Sequence, residues 1–172
     1  MMISSKGRYA LRVMLDMAEQ SGGGNIRLKD IAARQNISVK YLESIMTALC
    51  KSGLVESALG KDGGYRLRRA PEAYTAGEIL RAAEGELAPV SCLTEDGKKC
   101  GGVCTCYTLP FWRGLEEHIN AYIDGYTLRD LLDAKRNTPV CGGTGDADTN
   151  SAEQKTVAEP TAKPRASAND KS

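Results

Sequence analysis

Cys92, Cys100 and Cys106 lie with seven and then five residues between them, and Cys104 falls inside the second interval. Thiolates are soft donors that suit both iron–sulfur clusters and zinc. Structural zinc sites more often draw on two close CxxC pairs. The close pair here is Cys104-Thr105-Cys106, which is tight for two ligands on one small ion. Gly97, Gly101 and Gly102 would let the backbone wrap a cluster, and Lys98 and Lys99 would offset its negative charge. The spacing favours an iron–sulfur cluster, two-iron or four-iron, with zinc and redox-active thiols as the alternatives. Such clusters usually take four protein ligands. Cys104 is the candidate fourth; a carboxylate, a water or a residue from a second subunit are others. His118, the single histidine, falls in the following helix and reads as a polar-face residue. Cys50 reads as a small buried or half-buried hydrophobe in an earlier helix. Cys141 reads as a free thiol at the edge of the tail.

The chain around these thiols has 172 residues, enough for one domain and a tail. Its ends differ in charge. Residues 1–82 carry 13 Lys and Arg against 8 Asp and Glu, whereas residues 83–172 carry 10 against 14. The basic half is where phosphate neutralisation is expected. No run approaches the roughly 18–20 apolar residues of a membrane helix. Met1-Met2-Ile3-Ser4-Ser5-Lys6 has no apolar signal core, so the expectation is a soluble cytoplasmic protein. In a reducing cytoplasm, clustered cysteines serve as ligands or sensors more often than as structural disulfides.

The elements that would position the cysteines follow from periodicity. Tyr9, Ala10, Val13, Met14, Met17 and Ala18 recur at helical spacing over 5–20. Leu28, Ile31 and Ala32 predict a second helix to about Gln35, and Asn36-Ile37 a tight turn. Ser38 is a suitable N-cap for a third helix, Val39 to about Ser52, with Leu42, Ile45, Met46 and Leu49 as its apolar stripe. Residues 54–58 and 65–67 read as a hairpin around the glycine-rich tip 60–64. Thr75-Ala76-Gly77-Glu78 reads as a capping box opening a fourth helix. A longer helix starts at Pro110, with Trp112, Leu115, Ile119, Tyr122 and Ile123 on one side, and a last short helix runs from Thr127 to about Ala134. The predicted fold is mostly α with a small β-hairpin wing: a winged helix-turn-helix followed by a long helix. The divisions are 1–88 for the DNA-binding domain, 89–109 for the cysteine loop, 110–136 for the last two helices and 137–172 for a disordered tail.

In such a fold the first turns of the recognition helix enter the major groove. That places Ser38, Lys40, Tyr41, Glu43 and Ser44 toward double-stranded DNA. Glu43 would accept from a cytosine amino group or repel phosphate at wrong sites. Lys61, Gly63, Gly64, Tyr65 and Arg66 form the wing, and its glycines would let it approach the duplex closely. Lys6 and Arg8 are further phosphate candidates. An enzyme is not expected: one histidine cannot build a Ser–His–Asp set, and no glycine-rich phosphate loop links a strand to a helix.

Ser5-Lys6-Gly7-Arg8-Tyr9-Ala10, Met14-Leu15-Asp16, Tyr41-Leu42-Glu43, Ser52-Gly53-Leu54-Val55 and Gly63-Gly64-Tyr65 resemble the Rrf-two family of bacterial winged-helix regulators, over residues 2 to about 134. The cysteines and Trp112-Arg113-Gly114-Leu115 resemble its iron–sulfur members. The resemblance implies a homodimeric regulator, usually a repressor, whose cluster senses iron, redox or nitric oxide status and sets operator affinity. It implies that Cys92, Cys100 and Cys106 are cluster ligands and that the helix with Trp112, Leu115, Ile119 and Tyr122 is the dimer helix. An apolar stripe on so small a domain supports that second point independently. The chain departs from the pattern in three places. Leu109 stands where one branch has a histidine ligand, and Arg8 where another has an aspartate supplied by the partner. Leu59 replaces a wing arginine. Glu43 matches an acid that helps choose between classes of DNA site. Some family members carry no cluster and answer to sulfur metabolism, so a thiol or small-molecule sensor is the alternative function.

Overall fold

The computed structural model describes residues 3–20, 22, 24–60, 63–94 and 105–137. Three helices open the chain: α1 (Ser5–Gln20), α2 (Leu28–Gln35) and α3 (Val39–Lys51). The stripe of α1 is fully buried at Ala10, Val13, Met14 and Met17, where it meets Ile31 of α2 and Leu42, Ile45, Met46 and Leu49 of α3. The turn between α2 and α3 places Asn36 in the left-handed region (φ 52°, ψ 51°), a conformation asparagine tolerates. Ser38 then caps α3 by accepting the Tyr41 N–H at 3.2 Å. Gly53, at φ 69°, ends α3 and turns the chain into the hairpin.

The wing is β1 (Val55–Ala58) paired antiparallel with β2 (Gly64–Leu67), in the register Val55↔Leu67 and Ala58↔Gly64. Ile26 exchanges both backbone hydrogen bonds with Tyr65, at 2.9 Å each, so the wing is also held from the segment before α2. Two glycines of the hairpin leave room for a close backbone approach. A Cβ on Gly64 would lie 2.5 Å from the Ile26 carbonyl oxygen, and one on Gly63 2.6 Å from that of Ala58.

After a short 3-10 turn (Pro71–Ala73) comes α4 (Ala76–Glu84), which packs on α1 and α3. The Thr75 hydroxyl caps it by accepting the Glu78 N–H at 3.1 Å. The Glu78 carboxylate accepts from Arg69 at 2.8 Å. Tyr74 is wholly buried, donating to the Leu54 carbonyl at 2.9 Å and accepting the Arg69 N–H at 2.8 Å, which joins the wing to α4. A second 3-10 turn (Ser91–Leu93) precedes α5 (Leu109–Asp124) and α6 (Leu128–Asn137). The last helix is longer than its periodicity suggests, running three residues past Ala134. Thr127 and Asp130 cap it reciprocally: the Asp130 carboxylate accepts the Thr127 N–H at 2.8 Å, and the Thr127 hydroxyl accepts the Asp130 N–H at 3.1 Å. Among the described residues, no helix is long and apolar enough to cross a membrane. Of the expected disordered tail 137–172, Asn137 ends α6 and 138–172 lie outside the described residues.

Candidate nucleic-acid interface and cysteine site

The outer face of α3 follows from its buried one. With Leu42, Ile45, Met46 and Leu49 facing the core, the 3.6-residue period turns Lys40, Glu43, Ser44 and Thr47 outward, and all four are exposed. Thr47, which the sequence reading did not single out, sits one turn beyond Glu43 and donates to its carbonyl at 2.7 Å. Ser44 likewise donates to the Tyr41 carbonyl at 2.7 Å. Tyr41 is half-buried rather than free, meeting the Tyr9 ring edge-on with centroids 5.8 Å apart. It locks α3 against α1 as much as it faces outward.

The wing lies beside this helix. Tyr65 is half-buried against the core; burial first, then Cys50 and Glu43, push its phenol above the usual tyrosine range, so it stays a neutral hydroxyl. Arg66 is exposed but forms an ion pair with Glu56, its cross-strand neighbour, and Arg68 approaches the same carboxylate at 3.9 Å. At the tip Leu59 is 99% exposed. Lys61 lies outside the described residues. At the start of α1, Arg8 is exposed with its guanidinium 3.2 Å from the Ser5 hydroxyl, and Lys6 is half-buried close to the Glu84 carboxylate.

Of the four loop thiols, two are described. Cys92 is a half-buried free thiol in the 3-10 turn, and Cys106 a half-buried free thiol just ahead of α5. The Cys106 sulfur lies 3.4 Å from the Thr108 hydroxyl. That contact, with the backbone N–H groups of Thr108 and Leu109, outweighs desolvation and holds the thiol below the usual cysteine range. Cys50, on α3, is pushed the other way by burial. Cys100, Cys104 and Cys141 lie outside the described residues, as do Gly97, Lys98, Lys99, Gly101 and Gly102. Among the described residues no three His, Cys, Asp or Glu side chains gather as a metal site. His118 is exposed and donates to the Gly114 carbonyl of its own helix at 2.7 Å.

Helix α5 has no fully buried residue. Trp112, Ile119 and Ile123 are half-buried, while Phe111 (65% exposed), Leu115 and Tyr122 (66%) face outward. The outward stripe differs from the expected one, because Phe111 joins it and Trp112 and Ile119 turn partly inward.

A recognition-length helix beside a two-stranded wing defines a winged-helix fold. The chain belongs to the Rrf2 family, whose model, described as an iron-dependent transcriptional regulator, matches residues 3–134. It is 39% identical over 132 residues to the HTH-type transcriptional regulator IscR of Aliivibrio salmonicida, covering 77% of each chain. Among solved structures it is similar to T. potens IscR (TM-score 0.64, 35% identity, 83% of this chain and 94% of that one). It is also similar to CymR, the global cysteine regulator of B. subtilis (TM-score 0.62, 36% identity, 78% and 98%). These relatives are regulators, not enzymes, and the chain is a transcriptional regulator of this family.

Proposed function

We propose that the protein is a cytoplasmic homodimeric repressor whose operator affinity is set by an iron–sulfur cluster. Its ligands are Cys92, Cys100 and Cys106, with Cys104 as candidate fourth. The domain boundaries at 88, 109 and 136 separate DNA reading, cluster binding and dimerisation. The observation that carries the reading is the cysteine set itself: Cys92, Cys100 and Cys106, with seven and then five residues between them, the last of them three residues ahead of a helix with exposed Phe111, Leu115 and Tyr122. Cys92 is likewise half-exposed and free to act as a ligand. The donor chemistry fits a cluster, which when bound supplies a centre that iron supply, oxidants or nitric oxide alter.

Lys40, Glu43, Ser44 and Thr47 read the major groove, with Ser38 holding the N-terminus of α3. Lys6, Arg8 and the wing residues Lys61, Gly63, Gly64, Tyr65 and Arg66 track the backbone. A second copy packing on α5 makes the operator roughly palindromic. Cluster state biases the population between two arrangements of the recognition helices. A hundredfold change in operator affinity requires a difference of about 2.7 kcal/mol between them.

A second reading is favoured by the structural likeness to CymR: a cluster-free regulator answering to thiol chemistry or a small molecule. Single substitutions Cys92→Ala, Cys100→Ala and Cys106→Ala separate the two. On the cluster reading each uncouples operator binding from iron supply. Unchanged iron-dependent regulation in all three removes that reading.

A further inference from the structure

Arg81 of α4 reaches α5 through a two-pronged contact. Its Nη1 donates to Asp124 Oδ1 at 2.8 Å and its Nη2 to Asp124 Oδ2 at 2.6 Å. Nη2 also donates to Asn120 Oδ1, one turn earlier on α5, at 3.1 Å. The Thr75 hydroxyl adds a contact to Asp124 at 3.4 Å. The carboxylate occupies space that only a glycine leaves open. A Cβ on Gly77 would lie 2.0 Å from Asp124 Oδ1 and 2.7 Å from Arg81 Nη1. A glycine inside a helix weakens it, so this one is explained by the close approach. The backbone adds two hydrogen bonds at the same end. The Ala76 N–H donates to the Tyr126 carbonyl at 2.8 Å, and the Leu128 N–H to the Tyr74 carbonyl at 2.9 Å.

All of these contacts gather at the C-terminal end of α5. Toward the other end, Phe111 is 65% exposed, and among the described residues a Cβ on Gly114 would meet nothing within 4 Å. At this C-terminal end α5 is pinned to α4, which packs on α1 and on the recognition helix α3. An exposed ion pair contributes little to stability, but a bidentate guanidinium–carboxylate fork fixes direction. Sixteen residues make a helix about 24 Å long, so a tilt of about 10° at the pinned end moves the far end by about 4 Å. That is roughly the rise of one base pair, about 3.4 Å.

We propose that Arg81, seated on Asp124 by Gly77, is a positioning residue: it sets the angle of α5 against the recognition helix and so the half-site spacing that the dimer reads. The inference rests on the dimer reading above. Arg81 touches no DNA in this account; it acts through the orientation of α5.

The test uses the full chain and palindromic operators whose half-site separation changes by single base pairs. Affinity is measured for each, beside sedimentation to confirm the dimer. Wild-type protein should prefer one spacing over its neighbours by about tenfold or more. Arg81→Ala should flatten that preference to about threefold or less while the dimer persists. Arg81→Lys keeps charge and helix propensity but loses the fork, and should flatten it as well, so the test survives a poorly folding alanine variant. Gly77→Ala, which displaces the carboxylate, should do the same. Full spacing discrimination in dimeric Arg81→Lys and Arg81→Ala overturns the inference alone. A wild type that is monomeric, or blind to spacing, overturns the dimer reading and the inference with it.

Discussion

Asp16 is 4% exposed and sits among the apolar side chains of α1. Its carboxylate accepts from Arg34 Nε at 2.8 Å, Arg34 Nη2 at 2.7 Å and Gln35 at 3.1 Å, which fastens α2 to α1. The pair is asymmetric, because the Arg34 side chain is 36% exposed. Removing the cation leaves a largely buried carboxylate with Gln35 still donating to it but no counter-charge; removing the anion leaves a guanidinium that water can serve. Arg34→Ala should therefore cost about 3 kcal/mol and Asp16→Asn about 1 kcal/mol in urea unfolding. Equal costs would contradict the argument. This pair was not legible in the sequence. Asp16 reads there as an acid inside an apolar stripe, and its partner lies 18 residues away with no local pattern linking them. The caps at Ser38 and Thr75 were legible because each binds an N–H three residues on. For the cysteines, spacing and donor type suggested the chemistry proposed above, but the contact between Cys106 and the Thr108 hydroxyl needed coordinates.

At the scale of elements, α1 begins against a side chain from α4. Glu84 Oε1 accepts the Ser4 N–H at 3.0 Å, the Ser4 hydroxyl at 2.7 Å and the Gly7 N–H at 2.8 Å, satisfying donors that a helix start leaves free. Gly7 permits this, since a Cβ there would lie 2.4 Å from the same oxygen. Desolvation pushes the Glu84 carboxyl up, but the hydrogen bonds from Ser4 and Gly7 and the charge of Lys6 outweigh it, and the net direction is down. A carboxyl lowered in the folded state stabilises the fold above its unfolded value, about 4.3. The contribution is lost as pH falls from there through the lowered folded value. Glu84→Gln should cost about 1 kcal/mol at neutral pH and flatten the acid side of the stability profile. An unchanged profile below about pH 4.5 would argue against the cap. Helix positions were readable because periodicity and capping are local signals. The seating of α1 on α4 was not, because Gly7 and Glu84 are 77 residues apart. The wing glycines were readable as a hairpin tip, whereas the Ile26 contact that Gly64 permits was not, since it comes from outside the hairpin.

For the whole molecule, the account depends on α5 being covered by a second copy. Phe111 and Tyr122 are each about two-thirds exposed on a helix with no fully buried residue. An apolar face of that kind is ordinarily covered. Phe111→Glu combined with Tyr122→Glu should yield a folded monomer by sedimentation. Its operator affinity should fall at least about a hundredfold, because each half-site then binds alone. A double variant that stays dimeric would place the interface elsewhere. The central claim, that the cysteines hold an iron–sulfur cluster, is tested most directly by anaerobic purification, a visible absorption spectrum and iron and sulfide counts per chain. The account predicts coloured protein with broad visible bands and near-equal iron and sulfide, the count separating two-iron from four-iron. Colourless protein that takes up neither iron nor sulfide on reconstitution would contradict it and leave thiol or ligand sensing in its place.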